Sequence, residues 1–289
     1  MQLPPTFYLA LGSRPCHHDV DVALAVGQTT FLVPGCAPVA RLLADHPDPR
    51  ISVALDSHVF DGPARPTLEA YADVVAAWHN HPGRFAFAIS YDHLGQTARS
   101  LHDHDRLCRR LERLGVVSTD APVVPVVQRG GSITAALGPD VDDDDWDDVP
   151  LDERTLPRHP TPVVALGGIA FARYSPAAMS WLVAQLIALS RRAGSGGAHL
   201  LGVSRPDVVR REGCVSFDSS RPPRMAACGW TAIAASYQPR YGFSPALLQT
   251  QRAARLAYWI IDSRDRLGLP WTAACDLETT TSYLADSAR

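Results

Sequence analysis

The sequence predicts an α/β fold, a single (β/α)8 barrel of the TIM type covering residues 1–289 as one domain. Three observations carry that expectation. Apolar, β-branched runs bounded by turn residues recur eight times, helix-like segments fill several of the gaps, and the runs are near-continuously apolar instead of alternating. A strand that is apolar on both faces belongs to a parallel sheet covered by helices, and eight such strands suit closure into a barrel. A doubly wound open sheet is the alternative, because strand boundaries and counts read from periodicity shift by a strand or two.

In chain order the runs are FYLAL (7–11), TTFLVPG (29–35), ISVALD (51–56), FAFAISYD (85–92), PVVPVVQ (122–128), PVVALGG (162–168), HLLGVS (199–204) and CVSFD (214–218). Helix-like segments lie at 66–80, 96–115 and 175–193, with a short one at 206–213. The stretch PDVDDDDWDDVPLDER (139–154) has no apolar period, so it is expected as an exposed acidic loop between the fifth and sixth strands. Its acids do not have the spacing of an EF-hand calcium loop. Residues 245–269 read as one amphipathic helix closing the barrel, and the tail 279–289 as poorly ordered.

Composition narrows the chemistry. Hydrophobic residues make up 46% of the chain, ample for one sizeable core, and no uninterrupted apolar run is long enough for a membrane helix. The amino terminus lacks the basic flank of a signal peptide, so a soluble cytoplasmic protein is expected. The six cysteines (Cys16, Cys36, Cys108, Cys214, Cys228 and Cys275) form no CxxC pair, which points away from a disulfide framework or a zinc ribbon. All 27 basic residues are arginine. The absence of lysine removes Schiff-base chemistry, a pyridoxal phosphate anchor and a P-loop lysine. Charge is uneven, about −11 over residues 1–153 and +8 over 154–289, so the carboxy-terminal half suits a phosphate-bearing partner. Solvated arginines on helix faces are the plainer account.

Polar residues at strand ends carry the functional expectation. Asp56, Asp92, Gln128, Gly167 with Gly168, Gly202 and Asp218 each stand at or just past the end of a run. A parallel barrel gathers those ends at one mouth, where polar groups serve chemistry. For any one aspartate, capping the next helix is the structural alternative. Asp56 and Asp218 together form a carboxylate pair suited to cleaving and remaking a glycosidic bond, one as nucleophile and the other as acid/base. Arg221 and Arg224, just after Asp218, are candidates for phosphate contact, with a surface ion pair as the alternative. Three histidine clusters, CHH (16–18), HNH (79–81) and HDHD (102–105), look like metal or nuclease fragments, yet eleven histidines make such clusters by composition alone. No metal site is expected.

The stretches ALDSHVF (54–60), AISYD (88–92), PVVQRGG (125–131), ALGGIA (165–170), GVSRPDVV (202–209) and VSFDSSRPPR (215–224) resemble, in order, the motifs of the tRNA-guanine transglycosylase family. The wording of the last two stretches is closer to the family's 7-deazaguanine DNA-modification relatives. The resemblance implies a base exchange. Asp218 would attack the anomeric carbon of a nucleotide, displacing guanine and leaving a covalent glycosyl-enzyme, and Asp56 would manage protons while a 7-deazapurine takes the sugar. It further implies that Ser57, Asp92, Gln128, Gly202 and the Gly167–Gly168 backbone line the base pocket, with Phe60 stacked on the purine.

Two departures stand out. The cysteine cluster that binds structural zinc in tRNA-acting members is reduced here to Cys228 and Cys275 without its spacing, so no cofactor is expected. His58 and Val59 replace two glycines, which should stiffen the loop and narrow the pocket above Asp56. The expected partners are a 7-deazapurine base and a nucleic acid, DNA ahead of tRNA, with room for a protein partner that supplies the DNA grip and no membrane. The alternatives are an N-glycoside hydrolase, an enzyme of free nucleosides or nucleotides, and a non-catalytic purine or DNA recognition subunit.

Overall fold

The computed structural model describes residues 4–12, 17–59, 64–81, 83–116, 122–138, 161–169, 175–192, 196–228, 230 and 240–271. Phe60, the acidic stretch 139–154, Cys16, Cys275 and the tail 279–289 lie outside them.

One sheet contains nine parallel strands: β1 (Thr6–Ala10), β2 (Thr30–Pro34), β3 (Ser52–Asp56), β4 (Phe85–Ile89), β5 (Val123–Val124), β6 (Val126–Gln128), β7 (Val164–Gly167), β8 (Ala198–Leu200) and β9 (Cys214–Ser219). Their order is β5-β4-β3-β2-β1-β9-β8-β7-β6. The two edges of that order, β5 and β6, are separated only by Pro125, so the sheet wraps onto itself through one continuous stretch of chain. The fold is a (β/α)8 barrel, and all eight expected runs form strands.

The ninth strand is the fifth run counted twice. Proline has no backbone N–H and interrupts a ladder where it stands. Before it, β5 pairs with β4 through Ala88↔Val123 and Ile89↔Val124, and after it, β6 pairs with β7 through Val126↔Ala165, Val127↔Leu166 and Gln128↔Gly167. The Pro125 carbonyl still accepts from Ala165 N at 2.8 Å.

Side chains divide by strand alternation. A larger core lies between the sheet and its helices and includes Leu9, Val33, Leu55, Leu166, Phe217 and Trp259. A separate, smaller cluster of Tyr8, Leu32, Ala54, Phe87, Ile89, Val124, Val126 and Ala165 fills the barrel itself. Two residues beyond Ala54, Val126 and Ala165 come Asp56, Gln128 and Gly167, which line a cavity above that plug. The apolar layer is therefore the floor of the site.

Helices cover the outside. The expected segments form Leu68–His79, Thr97–Arg113, Pro176–Ser190 and the shorter Pro206–Val209, and helices at His17–Ala25, Pro38–Asp45, Ile133–Leu137 and Arg221–Ala227 add to them. Thr67 caps the first of these by accepting from Ala70 N, and the Tyr71 hydroxyl of the same helix donates to Ile89 O at 2.7 Å, fixing it against the end of β4. The single helix expected over 245–269 is instead two, Pro245–Thr250 and Arg252–Arg266, broken at the extended Gln251. The break is a tertiary effect. Arg255, buried, donates to Leu248 O, Gln249 O and Ala226 O, and so satisfies last-turn carbonyls that a continuous helix would have bonded internally. Among the described residues no helix is long and apolar enough to cross a membrane.

Gly197 sets how closely β8 approaches β9. A Cβ there would run into the Val215 side chain and lie 2.9 Å from Gly213 O. Gly197→Ala is expected to cost about 1–3 kcal/mol in urea unfolding, the range for forcing extra volume into a packed site. An unchanged midpoint would show that the strand can shift freely.

Candidate active site

The cavity at the carboxy-terminal ends of the strands has a volume of about 1040 Å³. Asp56, Asp92, Gln128, Gly167, Gly168, Gly202, Asp218, Arg221 and Arg224 all line it, so residues up to 168 positions apart in the chain meet at one mouth. Ser57 lies just beneath, fully buried, and Val59 reaches the wall.

One side of the cavity is built around Asp92. Its carboxylate accepts a short hydrogen bond from the Ser57 hydroxyl on Oδ1 and one from Gln128 Nε2 on Oδ2 at 2.8 Å. Sequence reasoning missed a third partner, Arg65. Its guanidinium stands 3.8 Å from Asp92 Oδ1, donates from Nε to Ser57 O at 3.1 Å, and lies 3.6 Å from the centroid of the Tyr91 ring. Nothing in the run around Arg65 marks it, because it sits between strand and helix in a proline-flanked loop.

Gln128 is held from below by Thr97, whose hydroxyl bridges the Gln128 backbone N–H and carbonyl at 3.1 and 3.2 Å. Its amide oxygen Oε1 is buried without a hydrogen-bond partner among the described residues. Glycine at 167 and 168 is what lets the amide lie there. A Cβ at either position would come within 3.1 Å of it, and Gly168 also has φ +80°. An acceptor buried and unpaired in the wall of a cavity is a site arranged for a polar ligand.

The loop above Asp56 is tied to its neighbour at His58. His58 occupies a left-handed conformation, φ +61°, and accepts from Cys36 N on Nε2 at 3.0 Å, which ties the β3 loop to the β2 loop. For a residue with a Cβ that conformation costs on the order of 1–2 kcal/mol.

Asp218 forms the opposite side. Its Oδ1 accepts from Gly202 N at 2.9 Å, and His199 Nε2 stands 3.2 Å from the same oxygen. His199 was not anticipated, since a single histidine inside an apolar run gives no periodic signal. Four arginines rim this side: the expected Arg221 and Arg224, and also Arg205 and Arg266. Arg205 pairs with Asp207 and Arg266 with Asp262, whereas Arg221 lies 5.4 Å from the Trp259 ring centroid and Arg224 is exposed.

No family model matches the chain. No curated protein matches it. Among solved structures it is similar to a protein assigned as a fructose-1,6-biphosphate aldolase from Coccidioides immitis, at 10% identity over 91% of each chain with a TM-score of 0.47. That likeness carries no argument about chemistry.

The histidine clusters form no metal site among the described residues. Asp103 is engaged by His93 and Arg106, His104 lies against Cys108, and His81 packs on Trp78. His17 and Cys16 are not part of the described side chains.

Burial pushes the Asp92 carboxyl above the ordinary aspartate value, against the opposing pull of the Ser57 hydrogen bond and the Arg65 charge. A carboxyl raised on folding adds stability that is full below the unfolded value of about 3.9 and is lost as pH rises through the folded value. Asp92→Asn, uncharged at any pH, is therefore expected to gain on the wild type in urea midpoint as pH rises above about 4. A difference that does not change with pH would contradict the burial argument.

Proposed function

We propose that the chain is a nucleobase transglycosylase, a pentosyltransferase that exchanges guanine for a 7-deazaguanine derivative in a nucleic acid, DNA ahead of tRNA. The observation that carries this reading is the convergence of Asp56 and Asp218 on one cavity that also holds Asp92, Gln128 and the Gly167–Gly168 backbone. Guanine presents an N1–H and N2–H₂ donor edge next to O6 and N7 acceptors. The Asp92 carboxylate and the unpaired Gln128 Oε1 match the donors, and the Gln128 Nε2–H not used on Asp92 matches an acceptor.

The chemistry balances on these residues. Asp218, held through Oδ1, offers Oδ2 to the anomeric carbon. The C1′–N9 bond breaks as the C1′–O bond forms, and Asp56 donates a proton to the departing guanine. The incoming base gives its N9 proton back to Asp56 and attacks C1′, breaking the ester and restoring both carboxyl groups. The cycle closes without a co-reactant.

The arginine rim beside Asp218 and the basic carboxy-terminal half support a phosphate-bearing substrate. A guanine inside a duplex must first be flipped out at a cost of a few kcal/mol, and a protein partner is one source of that grip. Such a substrate is consistent with the expected cytoplasmic location.

The test uses purified protein with labelled-guanine DNA or tRNA, with and without a 7-deazaguanine. The wild type is expected to release label only as the new base is incorporated, and Asp218→Ala to lower exchange by about 10³-fold or more. Full activity in Asp218→Ala would remove it as nucleophile, and release without incorporation would make the protein a hydrolase. Replacing Arg221 and Arg224 together by alanine is expected to weaken polymer binding by a factor that shrinks as salt rises, measured by fluorescence anisotropy. A salt-independent loss would contradict phosphate contact.

A further inference from the structure

Beneath Asp218 lie two groups that the proposed reaction does not use, His199 and Ser216, and with Asp218 they form a string of three. Ser216 and Asp218 point to the same side of β9, and His199 on β8 is registered against Ser216. His199 and Ser216 are wholly buried in the barrel, while Asp218 reaches the cavity. The Ser216 Oγ to His199 Nδ1 distance is 2.9 Å, and His199 Nε2 stands 3.2 Å from Asp218 Oδ1. Edge-on contacts with Tyr8 and Phe87, at centroid distances of 5.8 and 5.3 Å, fix the plane of the imidazole ring.

The string has the composition of a hydrolase triad with the order of exposure reversed. In a serine hydrolase the hydroxyl meets the substrate and the carboxylate is buried behind the histidine. Here the hydroxyl is at the sealed end, where no substrate can reach it, and the carboxylate is at the open end.

We infer that His199 is the positioning residue for Asp218, locked by Ser216 as the Nε2–H tautomer. An ionised carboxylate accepts only, so the imidazole nitrogen facing it must carry the proton. In the neutral ring Nδ1 is then an acceptor, and the Ser216 hydroxyl is the donor that satisfies it. With His199 and the Gly202 N–H both on Oδ1, the carboxylate cannot swing about its Cβ–Cγ bond, and Oδ2 is the oxygen aimed at a ligand. The two donors also draw negative charge to the bound oxygen, which lowers the cost of an ionised group in a site from which substrate excludes water.

This inference rests on Asp218 being the nucleophile, and its test separates the two. The side-chain tautomer is read first, from long-range proton–nitrogen correlation spectra of ¹⁵N-labelled protein at neutral pH, with the His199 signals assigned by their loss in His199→Gln. The wild type is expected to show Nε2 protonated and Nδ1 bare, and Ser216→Ala to admit the other tautomer. A wild-type Nδ1–H tautomer, or a ring protonated on both nitrogens, overturns the relay. The second readout is turnover. His199→Leu is expected to lower kcat for base exchange on the order of 100-fold, the scale of losing one preorganised donor, with the KM for the purine unchanged. His199→Gln, which can present an N–H near the Nε2 position, is expected to recover part of that loss. Equal losses in the two variants, or a change confined to KM, would overturn the positioning role. A wild type that exchanges no base overturns the transglycosylase reading alone, and the tautomer still decides whether His199 donates to Asp218.

Discussion

Closure of the sheet at Pro125 is the constraint from which the site follows. Asp92, beyond the end of β4, and Gln128, at the end of β6, lie towards opposite ends of the strand order, and closure brings the Gln128 amide within 2.8 Å of the Asp92 carboxylate. An open sheet would place them at its two ends. The same proline divides one strand position into two short ladders of two and three residues, so this side of the barrel depends on other ties as well. Thr97 clasping the Gln128 backbone and Tyr71 bonding Ile89 O are such ties, each from a helix packed behind the strands it secures.

The mouth of the barrel then divides into two electrostatic regions. Around Asp92 a carboxylate, an amide and their neighbours are almost wholly buried at the cavity wall, a setting in which polar groups discriminate strongly between ligands that satisfy them and ligands that do not. Around Asp218 the carboxylate is held on one oxygen, faces the cavity on the other, and has arginines beside it. Recognition on one side and bond-making on the other is the division of labour that base exchange requires. Under the proposed function it would arise from strand order, since Asp218 lies near the end of β9 and Asp92 follows β4 on separate arcs of the barrel.

Much of this was legible in the sequence because a buried parallel strand writes itself as an apolar run, and a polar residue that ends the run stands out. Asp56, Asp92, Gln128, Gly167 and Asp218 were all visible on that ground, and all line the cavity. What escaped was set by tertiary contact. His199 and Ser216 are interior residues of short strands, where a lone polar side chain resembles noise in an apolar pattern. Arg65 acts from an irregular loop with no period to read. The break at Gln251 depends on Arg255 reaching the carbonyls of the preceding helix, a contact that amphipathic spacing over 245–269 does not encode. The split of the fifth strand was within reach, since Pro125 stands in the middle of its run.

The central claim is that Asp218 makes a covalent bond to a nucleotide sugar. Its most direct test is intact-mass spectrometry of the protein after incubation with guanine-containing DNA and nuclease trimming, with peptide mapping of any adduct. The account predicts a glycosyl adduct on Asp218 that disappears when a 7-deazaguanine is supplied. Base exchange proceeding with Asp218 unmodified, or an adduct on another residue, would contradict it.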